Sequence, residues 1–467
     1  MVFSSPVFLL CFLPAVLLLY YLPLRRCRPA QNMLLFLASL FFYAWGEKWF
    51  VLVMMASIVL NWLLGLWTGR RRAAARSARL PVVLAVAVNL SLLFVFKYLT
   101  FVLTNLNLLG FQFVIPVIEL PIGISFFTFQ ALSYVLDVAR GRGQAQKNLL
   151  HVGLYIAFFP QLIAGPIVKY ETVAHEIVHR KENWEDFSAG TARFVVGLSK
   201  KVLLSNQLAL VADRIMNSDP AGLPMATAWI GLIAYMLQLY FDFSGYSDMA
   251  IGLGRMFGFH FLENFRYPYA ARSLADFWKR WHISLTTWFR DYLYIPLGGS
   301  RVKSRARLLF NLSSVWIFSA IWHGANWTYL VWGLLNFAGV MLEKASGLEG
   351  RPPRAIGCLY TNLYFAFTVT VFRQPSVAAG VRYWGALVGL GDGLWSAQSG
   401  FFLRENLVLL AVALLCAFPI APWLSRKAQS WGAAGEVGRA ALTLAALAAV
   451  TVLMARGSYN PFIYFNF

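Results

Sequence analysis

Apolar runs long enough to enter or cross a bilayer recur along the whole chain, and no water-soluble fold of 467 residues needs so many. Residues 7–22, 33–45, 49–67, 81–99, 121–138, 149–167, 229–243, 359–372, 407–419 and 440–454 read as spans, and 187–216 has a helical pattern. An all-α polytopic membrane protein is therefore expected, because a helix satisfies its own backbone in lipid. Pro116, Pro121 and Gly123 predict a broken or re-entrant entry to the 121–138 span.

The formal charge of +20 raises the question of nucleic acid. Its lysines and arginines sit in short clusters between apolar runs, the pattern of cytoplasmic loops, and none is long enough for a nucleic-acid domain. Arg25, Arg26 and Arg28 follow the first run instead of preceding it, so that run reads as a retained span and not a cleaved leader. Counting inside clusters from there puts both termini outside. Cys11, Cys27, Cys358 and Cys416 form no C-x-x-C pair, which argues against a zinc knuckle or a disulfide framework.

Three stretches carry ionisable groups where an apolar chain has to justify them. His175-Glu176-Ile177-Val178-His179 matches the H-E-x-x-H pattern of zinc proteases, but Arg180, Lys181 and Glu182 follow at once and the segment reads as a solvated helix face. No metal site is expected. His151 and His260 read as loop or interface residues. In Y-F-D-F-S-G-Y-S-D-M, from Tyr240 to Met249, Asp242 and Asp248 need partners. They either fix a helix break at Gly245 or, in the case of Asp242, line a polar funnel.

Residues 274–300 read as one interfacial or re-entrant helix, too polar to span, with His282 on its aromatic side and Pro296 to Gly299 stopping it. An anionic ligand arriving from the cytoplasm would meet Lys279, Arg280, Arg290 and Arg301. The phosphates of coenzyme A and anionic lipid headgroups both fit that charge. Residues 308–341 are too long for one span and read as two helices meeting near Trp322-His323-Gly324, where a histidine at membrane depth is a functional candidate by default.

Six ordered motifs then carry a resemblance: P-I-G-I-S-F-F-T-F-Q from Pro121, F-P-Q-L-I-A-G-P-I from Phe159, Y-F-D-F-S-G-Y-S-D-M-A-I-G-L-G from Tyr240, F-W-K-R-W-H-I-S-L from Phe277, R-D-Y-L-Y-I-P-L-G-G from Arg290, and W-H-G-A from Trp322. Together they resemble the MBOAT family of membrane-bound O-acyltransferases, and within it the bacterial subunits that serve alginate, cellulose and peptidoglycan O-acetylation. The likeness covers nearly the whole chain. It implies one membrane domain, 1–467, with N-terminal spans at 1–115, a motif-bearing core at 116–345, and C-terminal spans with a periplasmic terminal peptide at 346–467. Transmembrane and re-entrant helices would surround a central funnel in the inner membrane.

The resemblance implies that acetyl passes from a cytoplasmic donor, acetyl-CoA, across the membrane to an exopolysaccharide of cellulose or alginate type. No permanently bound cofactor is implied. The family's catalytic histidine falls on His323, beside Trp322, and its second histidine on His282. A thioester is the better acyl donor, so the remaining need is a base for the attacking hydroxyl. Neutral imidazole, with an ordinary pKa of about 6.5 that burial lowers, meets that need near pH 7. The C-terminal F-I-Y-F-N-F places Tyr464 as a candidate relay nucleophile, or alternatively an interfacial anchor. The implied partners are a periplasmic SGNH-type esterase, a polysaccharide synthase complex and membrane lipid. The compact 422–438 segment tilts the polymer toward cellulose or another exopolysaccharide. A secondary transporter or a non-catalytic scaffold remain as rivals, although the paired repeats of transporters are not evident.

Overall fold

The computed structural model describes all residues except 350, 458, 462 and 464–467. Every regular element among the described residues is helical. Among the described residues, seven helices are long and apolar enough to cross a membrane, from Phe50–Ala73 to Ala433–Ala455. The chain forms two compact units.

The first unit comprises Met1–Phe194 and Met249–Leu262. Helices α1 (Arg28–Glu47) and α2 (Phe50–Ala73) cover the expected 33–45 and 49–67 runs and turn at Lys48, whose φ is 41°. The irregular stretch after Leu108 ends at α3 (Ile124–Arg140), opened by Gly123 and closed by Gly141, both at positive φ. Almost all of α3 is buried, its polar residues Ser125, Thr128, Gln130, Ser133 and Asp137 included. The expected span at 149–167 is instead broken into Leu149–Ala157 and Phe159–Leu162. Pro160 explains the break, since it has no N–H to give the preceding turn.

The 169–186 segment also differs from expectation. His175 and His179 are exposed, but Arg180 is buried, donating to Asn32 Oδ1 at 2.7 Å and lying over the Phe259 ring at 4.6 Å. Glu176 faces His260, whose Nδ1 is 3.0 Å from its Oε1, while Asp186 lies 3.3 Å from His260 Nε2.

The second unit comprises Val195–Asp248 and Glu263–Ile463. The Y-F-D-F motif lies on α4 (Met225–Met256), which runs without a break through Gly245. The expected helix break is thus absent. A Cβ at Gly245 would stand 2.8 Å from the Gly197 carbonyl, so the glycine serves close helix approach. The 187–216 pattern resolves into Trp184–Ser199, a π-helical turn at Lys200–Ser205, and Asn206–Met216.

The expected single helix at 274–300 is likewise two: α5 (Leu274–Arg280) and α6 (Ile283–Phe289), followed by a π-helical turn at Arg290–Tyr294. Between them Trp281 is extended and His282 takes a left-handed conformation, φ 45° and ψ 54°. Helices α7 (Arg305–His323) and α8 (Trp327–Ser346) meet at Gly324, as the pattern predicted, and α9 (Arg354–Arg373) follows. An eleven-residue helix, Val377–Leu387, occupies part of the 375–400 segment.

Candidate active site

His323 ends α7, and the backbone leaves the helix at Gly324, whose φ and ψ are 171° and 166°. A Cβ there would lie 2.2 Å from Cε2 of Tyr329, so only glycine lets α8 fold back beside the histidine. Asn326 starts the return, its side chain accepting the Thr328 N–H at 3.0 Å. The His323 ring is buried edge-on among Trp322, Trp332 and Phe372, with centroids 5.1, 5.1 and 5.4 Å away.

His282 reaches the same place from the other side. The helix that leads to it, α5, is started by Ser273, which accepts the Asp276 N–H at 3.0 Å. The Glu343 carboxylate of α8 accepts the Leu274 and Ala275 N–H groups at 3.0 and 3.1 Å. Holding a non-glycine residue left-handed costs about 1–2 kcal/mol, a strain that clusters at functional positions. The His282 ring lies edge-on to Phe243 at 4.5 Å and 5.8 Å from the Trp322 indole. Burial, and then the charge of nearby His323, push its pKa well below the ordinary histidine value.

The two histidines line one cavity of about 190 Å³, walled by Trp278, Trp281, Trp316 and Trp332 with Ser319. Ligand pockets usually run to about 300–1,000 Å³. This one suits a small acyl group and its scissile bond, while the bulk of any larger donor would stay outside. The tryptophan walls make the lining largely apolar.

Of the other residues singled out in the sequence, Trp322 packs against both histidine rings. Lys279, Arg290 and Arg301 are exposed, Arg280 is half-buried, and none lines the cavity. Arg280 pairs with Asp276 at 2.8 Å and Arg290 with Asp291 at 2.7 Å, which leaves less net charge for an anion than their number suggests. Asp242 is fully buried and 2.6 Å from Lys201. Lys200 makes the equivalent pair with Asp248, also at 2.6 Å.

Tyr464 lies outside the described residues. The peptide leading to it is held in the second unit by four contacts: Tyr459 Oη donates to Asp213 at 3.0 Å, Asn206 donates to Asn460 at 3.3 Å, Lys201 donates to the Pro461 carbonyl, and the Ile463 N–H donates to Asp242 at 3.0 Å. Sequence reasoning missed Lys201, although two adjacent lysines within an apolar helical pattern are a readable signal. It also missed Asn264, fully buried beside His282, for which the sequence carries no signal.

Comparison with known proteins adds to this geometry. Residues 88–348 match the model of MBOAT, the membrane-bound O-acyltransferase family. The probable alginate O-acetylase AlgI of Pseudomonas putida is 38% identical over 100% of both chains. Its namesake in Pseudomonas aeruginosa is 42% identical over 89% of this chain and 79% of its own. The peptidoglycan O-acetyltransferase of Helicobacter pylori is 34% identical over 90% of this chain and 86% of its own.

Proposed function

The chain is a membrane-bound O-acyltransferase, an all-α polytopic member of the MBOAT family, and from that premise we propose that it carries acetyl from cytoplasmic acetyl-CoA across the bacterial inner membrane for O-acetylation of an exopolysaccharide. The observation that carries this reading is the pairing of His282 and His323 on one small, tryptophan-walled cavity. The polymer is of the alginate type, the activity named for relatives at 38% and 42% identity. That reading replaces the tilt toward cellulose.

In the reaction, the acceptor hydroxyl attacks the thioester carbonyl as His323 takes its proton. The tetrahedral intermediate then collapses, the C–S bond breaks, and the thiolate leaves with the proton returned by the imidazolium. His282 supports the same cavity from the opposite side. Lys279, Arg280, Arg290 and Arg301 form a basic approach for the donor's phosphates. Both termini are periplasmic, and Tyr464 is the first acceptor. The hold of Lys201 on the Pro461 carbonyl and of Asp242 on the Ile463 N–H supports that role, because it fixes the residues that lead to Tyr464. A periplasmic SGNH-type esterase, within a synthase complex, then takes the acetyl from the tyrosine ester to a serine and on to sugar.

The test is polymer acetyl content in cells carrying Tyr464→Phe, which keeps the aromatic ring and removes the nucleophile. Acetylation is expected to be lost with the protein still in the membrane; unchanged acetylation would overturn the relay.

A further inference from the structure

Asn264 grips the two residues that follow His282. Its backbone carbonyl accepts the Ile283 N–H at 2.9 Å, and its side-chain oxygen accepts the Ser284 N–H at 3.1 Å and the Ser284 hydroxyl at 2.9 Å. A backbone N–H can only donate, so the carboxamide oxygen, and not its nitrogen, must face this turn. The nitrogen points the other way and donates to Ser247 Oγ at 3.0 Å. The same oxygen lies 3.2 Å from His282 Nδ1. Since that oxygen can only accept, Nδ1 must carry the proton.

We infer that Asn264 is a positioning residue that holds His282 as its Nδ1–H tautomer, so that Nε2 is the lone-pair nitrogen of a ring lining the cavity shared with His323. A free imidazole ordinarily favours the opposite, Nε2–H, form, so the preference has to be imposed. The left-handed backbone at His282 brings the ring under the Asn264 oxygen, and burial of both residues keeps water from offering Nδ1 an alternative acceptor. His323 is the titratable group facing this ring from α7, while α4 presents Phe243. His282 is thereby set to accept a hydrogen bond or a proton inside the cavity, the role that a second base or an orienter of the attacking hydroxyl requires.

The kinetic part of this inference rests on the cavity being the acyl-transfer site; the tautomer does not. The full chain, with ¹⁵N-labelled histidine in lipid, gives nitrogen spectra in which an Nδ1–H signal absent from His282→Gln identifies the ring. That signal is expected to persist in Asn264→Asp and to disappear in Asn264→Ala. Its absence from the natural protein, or its survival in Asn264→Ala, would overturn the assignment. In membranes given acetyl-CoA, with free thiol as readout, Asn264→Ala is expected to lower kcat about 10- to 100-fold with little change in KM. In Asn264→Asp the carboxylate stabilises the imidazolium, so the acid limb of the rate profile should move up by about one pH unit. An unshifted profile with an unchanged rate in both variants would contradict a positioning role. If the natural protein releases no thiol from acetyl-CoA, the donor reading fails and the spectra still decide the tautomer.

Discussion

Asp242 and Lys201 meet at 2.6 Å in the interior of the second unit, and the pair holds the C-terminal peptide by its backbone, Asp242 at the Ile463 N–H and Lys201 at the Pro461 carbonyl. The π-helical turn at Lys200–Ser205 presents the lysine, and an unbroken α4 presents the aspartate.

Breaking that pair leaves a buried charge without its counter-ion. Asp242→Asn is expected to cost about 3–5 kcal/mol, whereas the double change Asp242→Leu with Lys201→Met should recover much of it. Thermal unfolding of the purified protein in detergent measures both. The double variant still lacks the hold on Pro461 and Ile463, so its polymer acetylation should stay low. Full acetylation in it would show that anchoring the peptide is dispensable.

His282 should make stability depend on acid. Its folded pKa is depressed by burial and by His323, while in the unfolded chain a histidine titrates near about 6.5. Above that pH both states hold the ring neutral and the full contribution is present. Below it the unfolded chain takes up a proton that the folded one refuses, so stability falls by up to about 1.4 kcal/mol per pH unit until the folded pKa is passed. Unfolding free energy followed from about pH 7.5 to 5 should fall less steeply in His282→Gln; identical slopes would contradict the burial of a neutral ring.

Gly324→Ala should separate α7 from α8. The new methyl would strike the Tyr329 ring at 2.2 Å, and either Tyr329 or His323 must move. A loss of about 1–3 kcal/mol is expected, together with a fall in acetylation. Adding Tyr329→Ala relieves the clash and should restore part of the stability; no recovery would show that the glycine serves some other purpose.

Much of this arrangement was legible in the sequence. The apolar runs gave the membrane class, and the length of 308–341 with a Gly after His323 gave the α7–α8 break. The helix at 274–300 failed because its pattern is helical on both sides of His282, and a single left-handed residue between them leaves no periodic trace. The break at Gly245 failed for the opposite reason: glycine in a membrane helix as readily marks close approach as a break, and here Gly197 is the neighbour. The basic approach was visible as charge, but its pairing with Asp276 and Asp291 is local geometry that composition does not reveal.

Glu343 acts on the site at one remove. Its carboxylate accepts both N–H groups at the start of α5, the helix that leads into His282. Glu343→Ala leaves those donors buried and unpaired, a cost of about 1–3 kcal/mol, and Glu343→Gln should cost less because one carbonyl oxygen remains. Unfolding measurements on the two variants rank them, and equal losses would argue that the cap contributes nothing.

The proposed role of His323 as the base for acetyl transfer is measured by the acetyl content of the exported polymer in cells carrying His323→Ala. With the variant protein present in the membrane at its normal level, acetylation should fall by at least about 100-fold. Acetylation at the natural level would contradict the claim and leave the protein a transporter or scaffold for chemistry done elsewhere.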